Sequence, residues 1–244
     1  DRIVLKHADK EVIAGDDVYQ CKAVILATGH KNTDLGIPGE EEFRGKGISY
    51  CAVCDANYFA GKKVAVVGGG DTAVEEAIYL SKFASRVYII HRRNELRATK
   101  ILQEQVLGNE KITIIFNNVI QGFKGSSVLE GLVLKDLRSG VTNDLGVDGL
   151  FIAIGSRPNN DFLKNLVALD EQGHITVDSK METSVPGVFA AGDIRVTSLR
   201  QVATAVGDGA MAAISAERFI NQIHVAQIIN EVNEEIAAAN DCPG

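Results

Sequence analysis

The chain has 244 residues, 45% of them hydrophobic, and a formal charge of −7. That is enough apolar material for one large core or two smaller ones, and the acidic balance leaves no basic footprint for nucleic acid. No apolar run approaches the ~18 residues of a membrane span, and the opening Asp1-Arg2-Ile3-Val4 carries charge where a signal peptide would be apolar; neither a membrane nor a nucleic-acid partner is expected. With no Met at residue 1, the N-terminus is expected to be cut, processed or incompletely covered.

Cys21, Cys51, Cys54 and Cys242 are too few for a disulfide-stapled secreted scaffold. One close pair with two singles points to redox or metal chemistry. Zinc would need two further ligands, and His7, His30, His91, His174 and His224 are scattered with no second C-x-x-C; no metal is expected. Cys21, entering a strand, reads as a small buried hydrophobe, and Cys242 as an incidental terminal cysteine.

Residues 1–28 read as β structure: a strand pair from Arg2–Lys6 and Val12–Ile13, then Lys22–Leu26 ending in Ala27-Thr28-Gly29. Small residues at a buried strand end allow a ligand or backbone to approach closely, and the same composition serves an ordinary strand exit. Residues 30–49 are rich in glycine and read as a connection between domains, with Glu40–Glu42 as a solvated acidic face.

Cys51-Ala52-Val53-Cys54-Asp55 follows. Two cysteines at this spacing can close and reopen a small disulfide, C-x-x-C environments lower the thiol pKa to about 7, and the adjacent Asp55 is placed to exchange the proton that thiol chemistry needs. Lys62–Val67 then has the nearly continuous apolar end of a parallel strand covered on both faces, and Gly68-Gly69-Gly70 turns into a helix over Asp71–Phe83. This is Gly-x-Gly-x-x-Ala in the strand–turn–helix context that a dinucleotide fingerprint requires. Gly68 permits the turn, Gly69 lets a pyrophosphate reach the backbone, and Ala73 allows close packing of helix on strand. Asp71 and Thr72 open the helix, whose N-terminus favours phosphate.

The next strand, Arg86–Ile90, sharpens this reading. An NAD site places Asp or Glu at its end; here stand His91-Arg92-Arg93, with Arg97 a turn further. Arginines in place of a carboxylate suit the 2′-phosphate of NADPH; a solvated basic helix start is the plainer alternative. A second helix is expected over Asn94–Leu107, then strands over Lys111–Phe116, Val128–Leu137 and Asp148–Ala153, the last running through Ile154 to Gly155. A compact domain over 34–155 results. In the closing segment, Ile175–Val177 reads as a short strand and Pro186–Asp193 as a strand ending in Gly192-Asp193, followed by a long helix over Arg200–Ile223 beginning Arg200-Gln201-Val202-Ala203. A carboxylate at a strand end before a helix N-terminus suits a hydroxylated, partly anionic ligand, or is simply a cap. Residues 224–244 form a tail in which Ile228, Ile229, Val232 and Ile236 make a helical stripe.

Taken in order, Cys51–Asp55, Gly68–Ala73 with Val74-Glu75-Glu76-Ala77, His91–Arg93 with Arg97, Gly187–Asp193 and Arg200-Gln201 resemble low-molecular-weight thioredoxin reductase across about residues 1–223. The resemblance implies an α/β fold of two dinucleotide-binding, Rossmann-like domains. An NADPH domain (34–155) carrying the dithiol is inserted in a split FAD domain (1–33 and 156–223), with 224–244 as a tail. It implies FAD beside Ala27, Thr28, Gly29, Gly192, Asp193, Arg200, Gln201, Val202 and Ala203, and NADPH beside Gly68–Ala73, His91–Arg93, Arg97, Ile154 and Gly155. Electrons would pass from NADPH to FAD, to Cys51–Cys54, with Cys54 facing the flavin, and on to thioredoxin. Rotation between the domains would hinge near 29–47 and 155–158. The family is usually a cytoplasmic homodimer. Its N-terminal Gly-x-Gly-x-x-Gly unit for FAD has no counterpart here, so the FAD domain is expected to be truncated and its flavin site incomplete. A related reductase of a peroxiredoxin system, and a non-catalytic NADPH-binding module, are the competing readings.

Overall fold

A computed structural model describes residues 2–5, 10–163, 166–197 and 199–240; Lys6, His7 and Cys242 lie outside them. The chain divides into two compact units, Asn32–Ser156 and the described parts of Asp1–Lys31 with Arg157–Gly244.

The divided unit begins with an antiparallel meander of β1 (Arg2–Leu5), β2 (Lys10–Ala14) and β3 (Asp17–Cys21). The expected strand pair is thus a three-stranded sheet. β3 escaped the sequence pattern because it is largely exposed, so polar Asp17 and Gln20 break no buried face. Lys10 is 1% exposed; its Nζ donates to the Lys22 carbonyl (3.2 Å) and lies 5.4 Å from the centre of the Phe219 ring. β4 (Val24–Leu26) follows, and β5 (His30–Asn32) carries the chain into the inserted unit.

There, α1 (Glu40–Phe43) corrects part of the reading of a solvated acidic run: Glu41 and Glu42 are exposed as expected, but Glu40 is not. Glu40 is buried and accepts the backbone N–H groups of Leu35 (3.0 Å) and Gly36 (2.8 Å) and the hydroxyl of Tyr50 (3.0 Å), so it pins the incoming loop. Next come β6 (Ile48–Ser49), α2 (Ala52–Asp55), β7 (Lys63–Val67), α3 (Asp71–Leu80), β8 (Arg86–His91), α4 (Lys100–Leu107) and β9 (Ile112–Phe116). An antiparallel sheet of β10 (Asn118–Lys124), β11 (Gly131–Asp136) and β12 (Thr142–Leu145) precedes β13 (Gly149–Ile152).

The central sheet has the order β6-β13-β7-β8-β9, and all its pairings are parallel. Because side chains alternate along a strand, β7 splits its apolar run between two cores. Val64 and Val66 join Ala73, Val74, Ala77 and Phe151 on the helical side, whereas Ala65 and Val67 join Ile120, Leu132 and Leu150 on the side of the antiparallel sheet. α4 is shorter than the expected Asn94–Leu107. Two N–H groups that a helix there would use are committed elsewhere: Arg97 N–H donates to the Gly69 carbonyl (2.6 Å) and Thr99 N–H to Asp71 Oδ1 (2.7 Å).

The chain returns through β14 (Ser156–Pro158) to β15 (Val188–Ala190), which pairs in parallel with β4. The expected strand over Ile175–Val177 is reduced to isolated bridges at Ile175. α5 (Val202–Asn240) corrects the expected end at Ile223: no glycine or proline interrupts residues 210–240, so nothing local stops the helix. Its Ala212 and Ala216 pack on Phe189 and Ala191, while residues 224–236 are exposed all round.

Candidate redox site

Cys51 and Cys54 form a disulfide, with Cα atoms 5.3 Å apart. Cys51 is the N-cap of α2, and its Sγ accepts the N–H of Cys54 at 3.2 Å. A sulfur so placed already has a donor aimed at it when it becomes a thiolate. Asp55 closes the same short helix. Its Oδ2 accepts the hydroxyl of Ser49 at 2.6 Å, and Ser49 Oγ in turn accepts the N–H of Cys51 at 3.1 Å. Ser49 therefore ties the acid to the dithiol, a link the sequence reading missed because Ser49 belongs to the end of β6. Asp55, Ser49 and Tyr58 also line a cavity of about 320 Å³, giving the carboxyl a side away from the cysteines.

The glycine turn lies in the same unit. Gly68 has φ +152°, and a Cβ there would meet the Ala153 carbonyl oxygen at 2.4 Å and Ala73 Cβ at 2.6 Å. A Cβ on Gly69 would meet the His91 ring at 2.3 Å, whereas nothing lies within 4 Å of one on Gly70. The turn is thus pressed onto the strands below and open above, the shape a pyrophosphate requires. Beside it, Gly68, Gly69, His91, Arg92, Arg97 and Ile154 line a cavity of about 370 Å³. Thr33, Leu35, Asn118 and Ile120 also line it; sequence reading missed them because they come from the loop before α1 and from β10.

The other residues expected here play different parts. Ala73 is fully buried behind the turn, and Asp71 is engaged with Thr99. Thr72, at the exposed start of α3, and Arg93 are not part of the cavity wall; Arg93 offers its carbonyl to Asn117 (3.0 Å). Gly155, at φ +121°, accepts the N–H of Thr33 at 2.9 Å. His91 is buried, and burial holds it below its ordinary pKa. Arg97 and Arg93 push the same way, against the opposing pull of the backbone at Glu95 and Gly68. His91 is therefore a neutral prop under Gly69, and the positive charge of the cavity comes from Arg92 and Arg97.

In the divided unit, the parallel pairing of β4 and β15 brings Ala27-Thr28-Gly29 and Gly192-Asp193 to one end of the pair. Thr28 donates to the Asn159 carbonyl (2.8 Å), and Asn159 N–H donates to Gly29 (2.9 Å). Asp193 Oδ2 lies 3.5 Å from His30 Nδ1, and burial keeps His30 below its ordinary pKa against the pull of Asp193. Gly192 N–H donates to Asp208, whose carboxyl is held below the usual range chiefly by Arg195. Arg200 reaches His174 Nε2 at 2.9 Å. Gln201 precedes α5, Val202 and Ala203 open it, and Val202 and Val206 are 81% and 67% exposed. An uncovered apolar face at a strand-end cluster with a carboxylate fits one part of a large dinucleotide. Among the described residues no group of three or more His, Cys, Asp or Glu could hold a metal ion, and no helix is long and apolar enough to cross a membrane.

The family pattern described as pyridine nucleotide-disulphide oxidoreductase matches residues 2–209. A thioredoxin reductase of Peptoclostridium acidaminophilum is 50% identical over 217 residues, covering 86% of this chain and 69% of its own length. That of Bacillus subtilis is 46% identical over 215 residues, covering 88% and 68%. Among solved structures, the thioredoxin reductase of Streptococcus pyogenes superposes with a TM-score of 0.88 at 42% identity, over 91% of this chain and 72% of that one.

Proposed function

This chain belongs to the thioredoxin reductases, and from that premise we propose that it passes two electrons from NADPH through FAD and the Cys51–Cys54 disulfide to thioredoxin. The observation that carries this is the disulfide itself, formed at the head of α2 with Asp55 held against it through Ser49, in the same unit as the glycine turn and its arginine-lined cavity.

NADPH fits that cavity. The Gly68–Gly70 turn takes the pyrophosphate at the N-terminus of α3, and Arg92 and Arg97 take the 2′-phosphate, which a carboxylate in their place would repel. Ala27–Gly29, Gly192-Asp193 and Arg200–Ala203 hold one part of FAD, Asp193 being suited to its hydroxyl groups. The chemistry FAD supplies when bound is acceptance of a hydride from NADPH and delivery of two electrons to a disulfide. The chain's own residues govern the sulfur chemistry. The N–H of Cys54 steadies the thiolate of Cys51, and Asp55 moves the proton that a departing thiolate needs. Ser49 keeps Asp55 aimed at the pair. The family resemblance assigns Cys54 to the flavin side and leaves Cys51 to attack the thioredoxin disulfide. The homodimer and cytoplasmic setting common in the family complete the proposal.

The test is an absorbance spectrum of the chain with added FAD, repeated after anaerobic NADPH and followed by turnover with thioredoxin. A retained flavin band that bleaches, with thioredoxin reduction lost in Cys51→Ser and Cys54→Ser, is the expected result. Binding of NADPH with no bound flavin and no turnover would leave only an NADPH-binding module.

A further inference from the structure

Glu76 lies on α3, where that helix packs against α2. One oxygen of its carboxyl accepts the N–H of Ala52, the residue directly after Cys51. The other, Oε2, is sealed from solvent, and nothing among the described residues donates to it. An ionised carboxyl with one unpartnered oxygen at such a site is costly. Burial, offset only by the Ala52 N–H, pushes the group up to about 7.

The charged and titratable groups on α3 and on the elements it contacts are Asp71, Glu75 and Tyr79 on α3 itself, Asp55 and the two cysteines on or beside α2, Lys63 on β7, Arg86, Tyr88 and His91 on β8, and Lys100 and Glu104 on α4. None of them contributes a resolved push on Glu76 while the disulfide is closed.

Opening the disulfide changes that balance. The S–S bond breaks, two electrons enter, one sulfur takes a proton and the other remains a thiolate. A new negative charge then stands at the first turn of α2, which Glu76 touches through Ala52. Two like charges sharing a poorly solvated site do not both persist, so one of the two groups takes a proton. The Cys51 sulfur has the N–H of Cys54 aimed at it, whereas Oε2 of Glu76 has no donor among the described residues, so Glu76 is the group that takes it. We propose that Glu76 is the proton-holding partner of the dithiol, gaining a proton from solvent when Cys51–Cys54 opens and releasing it when the bond re-forms. Where Glu76 is ionised with the bond closed, reduction then consumes two electrons and two protons, one on sulfur and one on Glu76, and the charge beneath α2 stays constant; at lower pH the carboxyl proton is already in place. This rests on the reading that the disulfide is a working two-electron couple, but not on flavin, NADPH or thioredoxin.

The test is the reduced-minus-oxidised infrared difference spectrum of the whole chain near neutral pH. The disulfide is opened with dithiothreitol, the excess is removed anaerobically, and the exposed thiols are counted. The expected result is a protonated-carboxyl C=O band gained on reduction, absent in Glu76→Gln and retained in Glu75→Gln. In parallel, the equilibrium constant for reduction by dithiothreitol between pH 6 and 8 should differ in its pH dependence between wild type and Glu76→Gln by several-fold. A wild-type chain that opens but gains no band overturns the proposal without any variant, as does a band that survives Glu76→Gln. A chain in which dithiothreitol exposes no new thiols overturns the redox reading itself.

Discussion

Glu76 and Asp208 are carboxyl groups driven in opposite directions by what surrounds them. Arg195 draws Asp208 down, while burial pushes Glu76 up to about 7. For Glu76 the folded state keeps a proton that the unfolded chain releases from about pH 4.5 upward. Stability must therefore fall as pH rises from there to about 7, and level off above. Glu76→Gln removes this slope, so thermal melts of the oxidised chain should show the variant gaining on wild type by roughly 1–3 kcal/mol between pH 5 and pH 8, a discount on full linkage because the residue is only partly buried. Ser49→Ala should cost about 1–3 kcal/mol of stability, because two hydrogen bonds at a buried position are lost, and should release Asp55. Thioredoxin reduction should slow by about tenfold, a fraction of the ~10²–10⁴ that general acid catalysis contributes; an unchanged rate would remove Ser49 from the proton path. The cysteines, Asp55 and the glycines were legible in sequence because their chemistry is written in neighbouring positions. Ser49 and Glu76 were not, since folding, not spacing, brings them to the dithiol.

The segment between β8 and α4 shows how one element borrows order from another. Asp71 holds Thr99 N–H and Gly69 holds Arg97 N–H, so the stretch bearing Arg97 is moored to the glycine turn by two hydrogen bonds. Helical periodicity alone extends α4 backwards through this stretch, because a count of apolar residues takes no account of backbone donors already in use. Asp71→Ala should cost about 1 kcal/mol of stability, the usual worth of one hydrogen bond. It should weaken NADPH binding more visibly, by about fivefold in a fluorescence titration, since Arg97 would have to be ordered on binding. Equal NADPH affinity in the variant would mean that Arg97 is not a phosphate ligand. β7 with its turn and α3 was the most legible element, as burial on both faces and a dinucleotide turn demand nearly the same residues. β3, β10 and β12 were the least legible: β3 and β12 are short and exposed, and in β10 the register shift between Ile120 and Gly122 breaks the alternation.

At the scale of the molecule, the two units differ in how they are assembled from the chain. Asn32–Ser156 is continuous and holds cores on both faces of its parallel sheet. The other unit pairs β4 with β15, strands separated by that whole insertion, so its closure must await a long loop. Residues 32–156 expressed alone should melt cooperatively, keep the Cys51–Cys54 disulfide and bind NADPH within about threefold of the whole chain, a difference of under 1 kcal/mol. A molten product without a melting transition would refute that autonomy. Composition and motif order were enough to read an α/β chain with a compact dinucleotide-binding domain; its insertion in a split partner came from the family resemblance. The exact crossing points were not readable, because β5 and β14 are three-residue strands of mixed polarity.

Lys10 offers an unusual handle on the divided unit. Its ammonium group is enclosed by the Lys22 carbonyl, the Phe219 ring and the backbone near Gly187, which come from widely separated parts of the sequence. An amine-reactive ester added to the folded protein would tag surface lysines such as Lys62 and Lys63 within minutes and pass Lys10 by. Tagging of Lys10 would begin only when β2 and α5 part. A mass-spectrometric count of that single tag against time would then act as a clock for the opening of this half of the protein, read without any fluorophore and at the resolution of one side chain.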